Sequence, residues 1–250
     1  MRLKCLGCDA LARLIYLCAA HSPHLVDVSM FRLGLHRNPA DLQERLQQEI
    51  DNVSHERTET GRGYDAIVMA YGLCGKATAG ITAREIPVVL PRAHDCITLF
   101  LGGRARYTEQ HQKMPGTYWY VQDYIERGSL DGKKVVLGAM DGAVNVEEMY
   151  DEYVAKYGKD NADYLMEVLG GWQAHYQRAA FIDMGISDGS AVEAQAREEA
   201  AKHGWAYERI AGDLVLIRRL LNGDWNEDFL VLQPGQRLSM SYDNDIVCAE

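Results

Sequence analysis

Residues 64–75 read YDAIVMAYGLCG and residues 86–103 read IPVVLPRAHDCITLFLGG; the fold turns on how these two stretches are read. Each opens on an apolar run of β-forming residues, Ala66–Tyr71 and Ile86–Leu90, and each run empties into a turn that carries a cysteine. Cys74 follows the first run; Cys96 follows the second, with His94 just before it. In an open parallel sheet, ligands collect beyond the carboxyl ends of the strands. Cys74, His94 and Cys96 are therefore expected on one rim of such a sheet.

Upstream, the same alternation holds. Residues 2–7 (RLKCLG) are expected to form a first strand, with Cys8 in the turn after it and Asp9 capping a helix through LARLIYLCAA. Cys5 and Cys18 are read as small buried apolar residues. Leu25–Leu33 alternates apolar and polar residues and predicts a second strand. His36 sits in the turn that follows. Asn38 and Pro39 then open a helix over Ala40–Val53, with Leu42, Leu46 and Ile50 on one face.

Downstream, residues 114–125 (MPGTYWYVQDYI) gather Tyr118, Trp119, Tyr120 and Tyr124. They suit a strand or loop covering the core, or a hydrophobic wall beside the cysteines. Lys133–Met140 predicts another strand, followed by a helical region from Val146 to about Ala179 with Trp172, His175 and Tyr176 on one face. Ala180–Met184, Ala206–Ile210 and Phe229–Leu232 read as strands, and Ala191–His203 and Leu214–Leu221 as helices. The tail Leu238–Glu250 is polar, predicts loose packing and leaves Cys248 incidental. This β–α alternation predicts an α/β fold: a mostly parallel sheet with helices on both faces, Rossmann-like and three-layered. A single domain over residues 1–250 is expected, with two halves meeting near 126–133.

Composition narrows the function. With 47% hydrophobic and 25% charged residues, the chain of 250 has an ordinary globular balance. A formal net charge of −10 and the lack of a basic stripe argue against a nucleic-acid partner. No apolar run is long enough for a membrane span, and the N-terminal segment reads as a strand and helix of the mature protein, so a cytoplasmic location is expected. Six cysteines in such a chain suggest metal or redox chemistry rather than a disulfide framework. The glycine-rich GLCGKATAG at 72–80 misses the phosphate-loop pattern, because Ala70 and Ala77 stand where Gly and Ser or Thr are needed. Gly72 and Gly75 still permit a tight turn and close approach to a bound group. With His36 they are the candidate cofactor-binding positions.

Thiolates bind zinc and iron–sulfur clusters, and imidazole joins them at zinc. Cys8, Cys74, His94 and Cys96 make a candidate ligand set for zinc. The three cysteines alone suit a four-iron, four-sulfur cluster with one iron unligated. Asp95 and Arg92 are the candidate catalytic residues, orienting ligands or an anionic substrate tail; their alternative roles are helix capping and a solvated turn.

The motifs YGLCG, PRAHDCITLFLG, PGTYWY and GGWQAHY together resemble a bacterial and archaeal family known as domain of unknown function 1638, over most of the chain. Its members are often encoded beside corrinoid-dependent methyltransferases, which implies a role in one-carbon metabolism. His94-Asp95-Cys96 is similar to the H-x-C element by which zinc enzymes of methyl transfer to thiols hold their metal, in longer barrels. The implied expectation is a zinc-thiolate protein that moves a methyl group to or from a small thiol, with a corrinoid protein or methyltransferase as partner. The alternative is an accessory protein that carries an iron–sulfur cluster or a metal. The prominent aromatics suit a homodimer face as well as a pocket.

Overall fold

The computed structural model describes residues 1–57, 59–129, 154, 158, 159 and 176–250. The predicted strand Lys133–Met140 lies outside them, as does most of the predicted helical region, including Trp172 and His175. Two compact units are present. One joins Met1–Thr108 to Gly212–Glu250, and the other is Glu109–Ala211. The chain thus leaves the first unit and returns to it, with crossings at 108/109 and 211/212.

In the first unit, β1 (Arg2–Cys8) pairs in parallel with β2 (Leu25–Phe31) on one side and with β3 (Ala66–Ala70) on the other. Next to β3 runs β4 (Val88–Pro91), also parallel. The order is β2-β1-β3-β4-β8, where β8 (Phe229–Leu232) is antiparallel to β4. The fold is α/β with a mostly parallel but mixed sheet. From β1 the chain moves to one neighbour and then crosses back to the other. In open α/β sheets ligands bind beyond the carboxyl ends of the strands at such a reversal, which here falls at β1 and β3.

Helices cover the sheet because strand side chains alternate in direction. Leu6, Ile67, Met69, Val88 and Leu90 share a core with Leu42, Leu46, Ile50 and Val53 of α2 (Pro39–His55). Each such aliphatic side chain contributes roughly 2 kcal/mol by leaving water. Asn38 caps α2 by accepting from the Asp41 N–H at 3.4 Å, and Pro39 occupies its first turn. Gly7 points the other way, where an added Cβ would collide with Ile15 of α1 (Ala12–Ala20). Asp9 does not cap α1. It lies in a 3₁₀ turn, and Leu11 at the N-cap makes no side-chain cap bond. Cys5 and Cys18 are buried, with their thiols pushed up to about 12 and about 11 by desolvation.

The tail is not loose. It forms the hairpin β9 (Leu238–Met240) and β10 (Val247–Ala249), and Leu238, Ile246 and Val247 join the core. Cys248 pairs opposite Ser239 in it. Three apolar residues at the right positions outweigh the polar composition around them.

In the second unit, β5 (Thr117–Val121), β6 (Arg178–Asp183) and β7 (Ala206–Ala211) form a parallel sheet in that order. Arg178 and Ala179 are strand, where the sequence predicted the end of a helix. Of the aromatics of residues 114–125, Tyr118, Trp119 and Tyr120 lie in β5 and Tyr124 in the helix after it: Tyr118 and Tyr120 build a core with Phe181, Val192 and Ala196, and Tyr118 also packs on Tyr176 and Trp205. α5 (Gln122–Ser129) follows β5. α6 (Ser190–His203) follows β6 and ends at Gly204 in the left-handed conformation that glycine tolerates best. Among the described residues, no helix is long and apolar enough to cross a membrane.

Candidate functional site

Three neighbouring strands of the first sheet each deliver a cysteine to the same edge. Cys8 is the last residue of β1. Cys74 stands in the turn after β3, and Cys96 is the first residue of α3 (Cys96–Leu101), after β4. The turns after β3 and β4 are stitched together. Leu73 N–H donates to Ala93 O at 2.8 Å, and Cys74 N–H to His94 O at 2.9 Å. Gly72 makes this approach feasible, since a Cβ there would lie 2.7 Å from the Asp95 amide nitrogen and 2.8 Å from its Cα. Its role is thus to let two backbones touch.

Past that contact the chain turns sharply. Cys74, Gly75 and Lys76 have φ of 45°, 64° and 77°, three left-handed residues in a row. Glycine adopts this conformation freely, but for a cysteine or lysine it costs on the order of 1–3 kcal/mol and persists only where the surroundings enforce it. Gly75 is therefore required by its backbone angle, with open space where its side chain would be.

The three thiols feel one another. Burial raises the Cys74 thiol well above its ordinary value, and negative charge on Cys8 and Asp95 would raise it further; the Gly72 amide pulls the other way. Cys96 is raised by burial, then by Cys74, Asp95 and Cys8. Such a set stays protonated at neutral pH unless a positive charge arrives. A metal ion supplies one, and buried thiols bind it as thiolates with release of their protons. The donors are soft, so they suit zinc or an iron–sulfur cluster better than magnesium or calcium. Among the described residues, however, no group of three or more His, Cys, Asp or Glu side chains is drawn together into a ready-made metal cage. The thiols are within electrostatic reach of each other and short of ligation.

Two tyrosines that the sequence reading passed over border the cluster. Tyr71, the residue after β3, is 3% exposed, and its hydroxyl has no hydrogen-bond partner. Burial, then Cys8 and Cys74, hold it far above the usual phenol range. Tyr107 is pushed up to about 12 by burial, Asp95 and Cys96. The only sequence signal for Tyr71 is that an aromatic hydroxyl ends an otherwise aliphatic run.

The remaining candidates take other places. His94 is exposed, with its ring centroid 5.7 Å from that of Tyr107. Asp95 is the N-cap of α3 and accepts from the Ile97 and Thr98 amides at 3.0 and 3.2 Å. A cap of this kind contributes about 1 kcal/mol. Arg92 reaches into the C-terminal hairpin, donating to the Val247 and Asp245 carbonyls, with the Asp245 carboxylate at 3.7 Å. Its cation clamps the hairpin onto the end of β4. His36 is half-buried in a 3₁₀ turn, Leu35–Arg37, that follows β2.

Fold and site together define an α/β protein with a cysteine cluster at the strand-order reversal of a mixed sheet. The chain belongs to a family of proteins of unknown function, DUF1638, whose sequence pattern matches residues 30–221. Cys74, His94 and Cys96 fall inside that span and Cys8 precedes it. No curated protein and no solved structure matches the chain.

Proposed function

We propose that Cys8, Cys74 and Cys96 bind a soft metal ion of the zinc class, with His94 at the rim as a fourth ligand or as a base. One observation carries this reading: thiols from three adjacent strand ends share one another's field, so their joint ionisation needs a cation. The strained backbone at Cys74 supports it, because such strain is usually retained where it aims a functional side chain. The Rossmann-like three-layer arrangement and a cytoplasmic location belong to the same proposal.

A bound ion of this class keeps a small thiol substrate ionised at neutral pH. In this reading His94, which is exposed beside Tyr107, takes the proton that the thiol gives up. The one-carbon reading follows from the family resemblance, whose members are often encoded beside corrinoid-dependent methyltransferases, and the H-x-C similarity bears on metal ligation. In it, the substrate thiolate attacks a methyl carbon on a corrinoid partner, the carbon–sulfur bond forms as the cobalt–carbon bond breaks, and cobalt keeps the electron pair. The other reading, a cluster-carrying accessory protein for a methyltransferase, uses the same three cysteines.

Metal analysis of protein purified without oxygen tests both. About one equivalent of zinc in colourless protein is the expected result, and a brown protein with iron and sulfide favours the carrier. Cys74→Ser and Cys96→Ser are each expected to lose the metal. Full metal content in either variant overturns the ligand assignment.

A further inference from the structure

We infer that the Tyr71 hydroxyl is a ligand-binding group: it donates a hydrogen bond to an acceptor atom of an exogenous thiolate held against Cys8 and Cys74. The inference rests on the metal reading above and deepens it by naming what the rim takes besides the ion.

Tyr71 lies almost wholly out of water, with 3% of its surface exposed, yet its hydroxyl bonds to nothing in the protein. A buried hydroxyl without a partner destabilises the fold, and one that persists calls for an explanation. A phenylalanine would fill the same space without that penalty. Tyr71 belongs to the core cluster against which Cys8 and Cys74 pack, and the edge of its ring meets Phe31 with centroids 6.4 Å apart. Neither cysteine's sulfur bonds to the hydroxyl. What the hydroxyl lacks is an acceptor.

Position points to the same place. Tyr71 follows directly on β3, and Cys8 ends β1, so both stand at the carboxyl ends of the two strands at which the strand order reverses. Phe31, Leu35 and Leu73, all apolar, pack on the same core cluster as Tyr71. A single phenolic donor in apolar surroundings, beside soft sulfur donors, selects a small, soft, hydrogen-bond-accepting group on an apolar body. A low-molecular-weight thiolate fits. A phosphate or a sugar needs more donors than this wall offers.

The experiment uses full-length protein loaded with Co(II) under anaerobic conditions, titrated with 2-mercaptoethanol and followed by the visible absorption of the metal. Wild type and Tyr71→Phe are expected to take up Co(II) equally, while the variant binds the thiol about tenfold more weakly, the loss of one hydrogen bond to a charged acceptor. Without metal, Tyr71→Phe is expected to melt at the same temperature as wild type or higher, since it removes an unmet polar group. Equal thiol affinity in the two proteins overturns the inference and leaves the metal reading standing. A lower melting temperature for the metal-free variant also overturns it, because the hydroxyl is then already satisfied by the fold. Wild-type protein that takes up no Co(II) brings down the metal reading and this inference with it.

Discussion

Two buried polar sites, one in each unit, are built on opposite principles. In the second unit, Arg178 is 1% exposed, and its guanidinium is fully engaged. It donates to the Thr117 hydroxyl at 2.9 Å, to the Gln110 side chain at 3.0 Å and to the Glu208 carboxylate, and it lies 5.6 Å from the Trp119 ring centroid. Lys113 adds a second cation at 2.8 Å from Glu208, whose carboxyl is held below its usual range. In the first unit, the Cys8, Cys74 and Cys96 thiols oppose one another's ionisation, and the Tyr71 hydroxyl bonds to nothing. A satisfied network holds a fold together. An unsatisfied one destabilises the fold until something binds, and here it coincides with a strained backbone at a strand-order reversal.

The contrast is sharpest under mutation of its two centres. Arg178→Met keeps the stem and deletes the charge, leaving Gln110 and Glu208 without their buried donor. A loss of about 3 kcal/mol is expected in urea unfolding, as for other buried pairs stripped of one partner, somewhat less because Glu208 is partly exposed. A change below about 1 kcal/mol would mean that the network is ornamental and the comparison empty.

Gly72→Ala strikes the other site. Its Cβ has to displace the backbone of Asp95, at a cost of about 1–3 kcal/mol. The more telling result is expected in metal content, which should fall because the turns bearing Cys74 and Cys96 are prised apart. Unchanged metal in a destabilised variant would separate the glycine's packing role from the site.

A smaller effect is expected from pH. The folded Cys74 and Cys96 thiols stay protonated above their ordinary value near 9, whereas in the unfolded chain they ionise there. Above about pH 9 the folded state therefore binds more protons than the unfolded one, and stability falls as pH rises. The slope for metal-free protein reaches about 1.4 kcal/mol per pH unit for each thiol. Metal loading is expected to remove the share of Cys74 and Cys96 from that slope, because those thiols are then ionised in the folded state, and to leave the share of the buried Cys5 and Cys18. Denaturation series at pH 8, 9 and 10, with and without zinc, measure the difference; identical slopes would remove the cation from the argument.

Much of this was legible in the chain. Strands β1 to β4 and α2 fall where the apolar runs and the Asn38-Pro39 start placed them, with ends shifted by a residue or two. The placement of Cys74 and Cys96 after adjacent strands follows from the same runs. The α4 helix, Arg104–Lys113, escaped notice because it buries no residue, so it has no apolar period to detect. The C-terminal hairpin was hidden for the converse reason: its few buried residues are diluted by polar neighbours, and the core they join and the Arg92 and Arg104 side chains that bond to it come from distant segments.

The sequence by itself determined the local alternation of strand and helix and the delivery of thiols to strand ends, because periodicity and turn chemistry act between near neighbours. Only the tertiary structure decided which strands are adjacent, that β8 runs antiparallel to β4, that the chain builds two units, and that Tyr71 is buried without a partner. Those outcomes depend on contacts between residues far apart in the chain, and no local pattern encodes what a side chain will meet once water has been excluded.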